Sequence, residues 1–153
     1  MFDRRHALLA SSKALAMPTL PWLTIDRPGN DTVQVMASRL EVRSLWHVPR
    51  FFATSMVLWR QARRSPGAIG ITLKADLTRR TFWTLSAWAD ADAITAYART
   101  DPHASAIVRA RAVMRESTFV FWSAPAAELP IGWPEAQRRI AAERENPSRT
   151  AAS

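Results

Sequence analysis

The stretch from Arg79 to His103, RRTFWTLSAWADADAITAYARTDPH, restricts the folds open to this chain more than any other. Between Thr81 and Trp88 the residues read as a strand, with Phe82, Thr84, Ser86 and Trp88 on one face and Thr81, Trp83, Leu85 and Ala87 on the other. Each face carries a large aromatic group, so neither suits contact with water. Asp90 is then placed to cap a helix through ADAITAYART, and Asp92 falls in its first turn, where the helix dipole favours an anion. Asp101-Pro102 caps a second helical piece, HASAIVRARAVMRE, with proline at its first helical position. A strand that is apolar on both sides needs a packed layer above it and another below.

The flanking segments supply the rest of a small sheet. Thr32–Ser44 alternates as a strand, with Met36, Leu40 and Val42 on one face and Val33, Val35 and Ala37 on the other. Leu45, Val48, Phe52, Met56 and Trp59 follow at helical spacing, with Ser44 as N-cap, Pro49 near the first turn and Arg60, Arg63 and Arg64 in the last. Ser65-Pro66-Gly67 makes a turn into a strand over Ala68–Lys74, and STFVFWSAP closes the set, with Phe119 and Phe121 opposite Val120 and Trp122. Strand, helix, strand, strand, helix, strand is the α+β, ferredoxin-like split βαβ order: a four-stranded antiparallel sheet with helices on one face. This domain spans 32–124. Residues 1–31 form an N-terminal arm seated by Trp22 and Leu23, and 125–153 form a C-terminal helix and tail. Met1–Ala16 has the basic start and short apolar patch of a leader without a clear cleavage site; it is expected to be dispensable, with Met17 as an alternative start, and the protein to be cytoplasmic.

In a lone subunit the sheet face without helices would be polar. Here the third and fourth strands are apolar on both faces, which predicts a homodimer packed sheet against sheet. The chain has no cysteine, which excludes disulfides, thiolate nucleophiles and thiolate metal sites. The net charge of +8 comes mostly from arginines scattered in pairs and stripes, not from one block, so no nucleic-acid partner is expected. No run approaches the roughly twenty apolar residues that a membrane span needs.

His103, at a helix start, is the candidate general acid or base, because imidazole exchanges protons near neutral pH. His47, in the first turn of the first helix, is a further candidate substrate contact, and His6 lies in the doubtful leader. The three histidines lack HxxxH or HxxE spacing, so no metal site is predicted. Trp83, Phe52, Met56, Trp46 and Trp59 are available as flat apolar walls, with Tyr97 supplying a hydroxyl, and together they suit a hydrophobic small molecule. No Gly-rich phosphate loop or GxSxG elbow is present.

The Pro66-Gly67 turn before a strand, FWTLSAW (Phe82–Trp88), the helix begun by Asp90 and TDPH (Thr100–His103) resemble the antibiotic-biosynthesis-monooxygenase superfamily of dimeric α+β barrels, and within it a bacterial branch related to spheroidene monooxygenase. The resemblance covers about Val33 to Ser123. It implies a homodimer with a pocket in each subunit between helices and sheet. It also implies cofactor-independent oxygenation of a hydrophobic aromatic or polyene compound, with His103 as acid/base. A non-catalytic dimeric binding or scaffold protein and a haem-binding protein, using His103 or His47, are the alternatives. The haem-degrading members use a first-strand asparagine with a tryptophan and a histidine that fall at Tyr97 and Ile107, and the first strand here has no asparagine.

Overall fold

The computed structural model describes residues 17–147. The expectations for Met1–Ala16, for His6 and for the tail from residue 148 onward lie outside that range. Five strands form one antiparallel sheet: β1 (Thr19–Thr24), β2 (Thr32–Val42), β3 (Ala68–Asp76), β4 (Thr81–Trp88) and β5 (Met114–Pro125), in the order β1-β3-β4-β2-β5. Helices α1 (Val48–Arg64), α2 (Ala91–Arg99) and α3 (His103–Arg111) lie in the connections, and α4 (Trp133–Glu145) follows β5. The ferredoxin-like order is as expected, but the sheet has five strands, not four.

The additional strand is the expected surface arm. Thr19 and Leu20 pair with Lys74 and Leu73, and Leu23 and Thr24 pair with Ile71 and Gly70. Pro21 makes the segment look unlike a strand. It is tolerated because the register shifts between Leu20 and Leu23, at a sheet edge where no further strand requires its missing N–H. Trp22 seats the strand on a backbone without a side chain: a Cβ at Gly70 would stand 2.2 Å from Trp22 Cζ2.

Local signals place the helices. Ser44 Oγ accepts the Trp46 N–H at 3.2 Å, at the start of a short 3-10 turn over Leu45–His47 that leads into α1. Pro49 occupies the first turn of α1. Asp90 accepts the Ala93 N–H at 2.8 Å. Gly67, at φ 84, turns the chain from α1 into β3. Helix α3 is shorter than its sequence pattern, because β2 pairs with β5 as far as Met114 and the ladder takes up residues that helical periodicity would have continued.

Both faces of the central strands are dry, as their sequence required, but the second layer differs from the expected partner sheet. On one side Phe82 packs with Phe51 and Val48 of α1, while Trp88 packs with Ile94 and Tyr97 of α2. On the other side Val33, Val35, Ala37, Leu85 and Ala87 are covered by Ile131 and by Ala136 and Ile140 of α4, all within this chain. Trp122 on that side lies under the Arg139 guanidinium, 4.5 Å away. Toward the end of β2 the same face becomes charged: Glu41 is approached by Arg39 at 3.5 Å, Arg80 at 3.8 Å and Arg115 at 3.4 Å, and Arg144 of α4 bonds Glu116, the cross-strand neighbour of Glu41, at 2.8 Å. No helix among the described residues is long and apolar enough to cross a membrane.

Gly70→Ala is expected to destabilise the fold by about 1–3 kcal/mol through overpacking against Trp22. In a Trp22→Ala background the same change should cost little. Urea denaturation of the four proteins of this cycle measures the coupling, and equal costs in both backgrounds would show that β1 is not held in this way.

Candidate functional site

Between the sheet and helices α1 to α3 lies a partly open cavity of about 90 Å³. Its floor is Met36, Ser38, Thr84 and Ser86, and its walls include Trp59, Tyr97 and His103. Most of its polar groups are paired internally. Ser38 Oγ and Thr84 Oγ1 are 2.5 Å apart, Trp88 Nε1–H donates to Ser86 Oγ at 2.8 Å, and the Tyr97 hydroxyl donates to the Leu58 carbonyl at 3.2 Å. Burial pushes the Tyr97 phenol well above its usual range, so it stays protonated.

His103 is fixed from two directions. Its backbone N–H donates to Gln61 Oε1 at 2.8 Å, and Gln61 Nε2 in turn donates to the Thr100 carbonyl at 2.9 Å. Its Nδ1 lies 3.1 Å from the Ala98 carbonyl, which can only accept, so Nδ1 carries the hydrogen and Nε2 keeps the lone pair. The ring stands 4.7 Å from that of Tyr97. Burial lowers the His103 pKa from its ordinary value, and the bond to Ala98 opposes this more weakly. The imidazole is therefore neutral at pH 7 and suited to take a proton. Trp59 contributes a second open polar atom: its Nε1 is buried without a hydrogen-bond partner among the described residues, while Arg63 lies 4.9 Å from the ring.

The residues singled out from the sequence separate into distinct places. His103, Tyr97 and Trp59 line the cavity together. Phe52, Met56 and Trp83 instead line a hollow of about 50 Å³ next to β1, where Lys74 Nζ lies 5.7 Å from the Trp83 ring. His47 borders a surface groove with Arg50 and Arg109. Trp46 is exposed and lines none of these hollows, because the 3-10 turn rotates it out of the helical stripe. Sequence reading missed Gln61, Ser38, Thr84 and Ser86. Serine and threonine at alternating positions, on the same sheet face as Met36 and Trp88, were the available signal for a polar floor. A wider groove of about 760 Å³ runs over the outer surface between α1 and α2, and Tyr97 stands between it and the cavity. No cluster of three metal-ligating side chains occurs among the described residues.

Fold and cavity define a class: a ferredoxin-like α+β protein with an apolar chamber between its helices and its sheet. Solved structures share this architecture. A Fusobacterium nucleatum protein with a provisional monooxygenase name matches with a TM-score of 0.60 at 10% identity, over 67% of this chain and 48% of its own. A Nitrosomonas europaea protein provisionally named an antibiotic biosynthesis monooxygenase matches at 0.56 and 16%, over 65% and 94%. A further antibiotic biosynthesis monooxygenase matches at 0.54 and 18%, over 60% and 97%. This chain thus spans about half the length of the Fusobacterium protein. At such identities the likeness shows the fold. No protein-family model and no curated protein sequence matches the chain.

Because folding lowers the His103 pKa, the unfolded chain takes up this proton first as the pH falls. Stability should be unaffected by His103 well above pH 6.5 and decline as the pH drops from there toward the depressed folded value. NMR titration should place the His103 pKa below 6.5 with Nδ1 protonated in the neutral form, and His103→Asn should flatten this part of the stability profile. A measured pKa at or above the ordinary value would contradict the buried, Ala98-bonded placement.

Proposed function

We propose that this chain is a monooxygenase-like enzyme that works without a bound cofactor on a hydrophobic aromatic or polyene small molecule. It is grouped with the antibiotic-biosynthesis-monooxygenase-like proteins, in the branch related to spheroidene monooxygenase, as a cytoplasmic homodimer. The observation that supports the reading best is His103, whose bare Nε2 belongs to a ring held at the wall of an apolar chamber. A phenol or quinol hydroxyl presented to Nε2 gives up its proton, and the electron-rich anion is oxidised directly by dioxygen. For a phenol bearing a ring methylene, one oxygen atom becomes the new carbonyl and the other leaves as water with the two methylene hydrogens. The proton on His103 then returns to the phenolic oxygen. The substrate supplies all four electrons, so the balance needs no further reductant.

The chamber of about 90 Å³ is small beside the roughly 300–1,000 Å³ of sites that enclose drug-sized ligands. A larger substrate requires a wall to move, and α3 is the wall with least anchorage, since Ala106 is its one buried residue. The same small volume favours a second reading, a non-catalytic binding or scaffold dimer. A porphyrin has no room there, His47 lies in a different groove, and no step is assigned to haem. Phe119 and Phe121, exposed at 39% and 55% on the edge strand β5, support the homodimer.

Oxygen uptake measured with a panel of phenols bearing a ring methylene, such as hydroxyanthrones, tests the enzyme reading. His103→Ala should remain folded and lose about 10²- to 10⁴-fold of the rate, as expected for a general base. Turnover of an accepted substrate at the unchanged rate would remove His103 from the chemistry. Absence of uptake across the panel, together with a ligand retained in native mass spectrometry, would favour the binding protein. Sedimentation at micromolar concentration should show a dimer, and a monomer there would end that part of the proposal.

A further inference from the structure

Leu45 and Trp46 stand 60% and 91% exposed on the 3-10 turn between β2 and α1. The turn is held in place: Ser44 Oγ accepts the Trp46 N–H, and the His47 N–H donates to the Ser44 carbonyl at 3.0 Å. Two large apolar side chains projected by a capped turn gain nothing from the interior of the molecule. The surroundings are cationic. Arg43 follows β2, Arg50 lies in the first turn of α1, and Arg109 and Arg111 lie in the last turn of α3, all exposed. The Arg43 N–H donates to the Val113 carbonyl at 2.9 Å and its Nε to the Met114 carbonyl at 3.1 Å, which brings the end of α3 beside the turn. Arg50 and Arg109 flank a groove of about 390 Å³ that also contains His47. None of these four arginines joins the ion pairs seen among the described residues, whereas Arg39, Arg80 and Arg115 gather on Glu41.

We propose that this pole of the molecule docks on an anionic lipid bilayer, with Trp46 and Leu45 entering the headgroup layer and the four arginines facing lipid phosphates. Indole suits the membrane–water boundary, basic side chains at an anionic surface add attraction, and the two signals together hold what neither holds firmly alone. The net charge of +8 extends the attraction beyond contact. Leu45 distinguishes a bilayer from a nucleic acid: an isobutyl group gains free energy among acyl chains and nothing from a phosphate backbone. Docking is independent of any catalysis. One consequence rests on the function proposed above: the groove shares Phe51, Thr54, Ala106 and Ala110 with the His103 cavity. A docked molecule would thus turn the seam between α1 and α3 toward the phase in which a lipophilic substrate dissolves.

Flotation of the full chain with vesicles of phosphatidylcholine, with and without phosphatidylglycerol, tests the docking. Binding is expected on the phosphatidylglycerol vesicles, weak on phosphatidylcholine alone, and reversed by salt. Leu45→Ser with Trp46→Ser should weaken it by about tenfold or more. Arg50→Gln and Arg109→Gln should each weaken it by about fivefold. Circular dichroism of each variant separates these losses from unfolding, and His103→Ala should float like the unaltered protein whether or not it is active. No flotation with phosphatidylglycerol vesicles, flotation unchanged by the Leu45 and Trp46 substitutions, or preference for duplex DNA over these vesicles would each overturn the proposal.

Discussion

Leu85 and Ala87 are fully buried on one face of β4 while Phe82 and Trp88 are buried on the other, and β4 lies between β3 and β2, which satisfy its backbone. Each large side chain taken out of water contributes about 1.5–3 kcal/mol, so neither face can be uncovered cheaply. A slip of one residue would exchange the two faces, placing Trp88 where Ala87 fits against α4. This requirement for cover on both sides fixes the layers, α1 to α3 above and α4 below. Within this chain α4 covers the part of the second face that the sequence had assigned to a partner sheet. Toward the end of β2 that face carries the charged group around Glu41.

Gln61 converts the layer packing into a site. Its amide bonds to the Thr100 carbonyl and to the His103 N–H, so one side chain of α1 holds the turn between α2 and α3 at both ends. The Tyr97 hydroxyl makes a second tie from α2 to the α1 backbone. Between these two bonds the His103 ring has little freedom, and its tautomer is set by the Ala98 carbonyl. The surrounding bonds determine which nitrogen faces the chamber. Burial, not these bonds, keeps the ring uncharged: it lowers the His103 pKa, and the bond to Ala98 opposes it more weakly.

The readable parts of the sequence were those governed by local rules. Alternation gave the faces of β2, β4 and β5, Asp90 and Ser44 gave helix starts, and Gly67 gave the turn. His103, Tyr97 and Trp59 share one chamber, as a helical stripe facing a sheet permits. What was not readable depended on distant partners. Pro21 disguised β1 because its bulge exists only through pairing with β3, and α4 appeared peripheral because its apolar positions are few. Phe52 and Met56 share a helix with Trp59, yet the tilt of α1 over the sheet sends them to the β1 side. Spacing within one helix carries no record of that tilt.

The two ends of α3 are held by different means, hydrogen bonds at one and apolar packing at the other. At the N-terminal end Asp101 accepts both the N–H and the hydroxyl of Ser105, at 3.0 and 2.6 Å, and Gln61 holds the His103 backbone. Toward the other end Ala110, with Val113 and Met114 just beyond the helix, packs against the buried cluster of Val42, Val48, Phe51 and Phe82, and the Val113 carbonyl accepts the Arg43 N–H. The cavity and the groove between Arg50 and Arg109 share Phe51, Thr54, Ala106 and Ala110, so the polar end of this short helix holds the imidazole while its apolar end forms the partition between the two hollows.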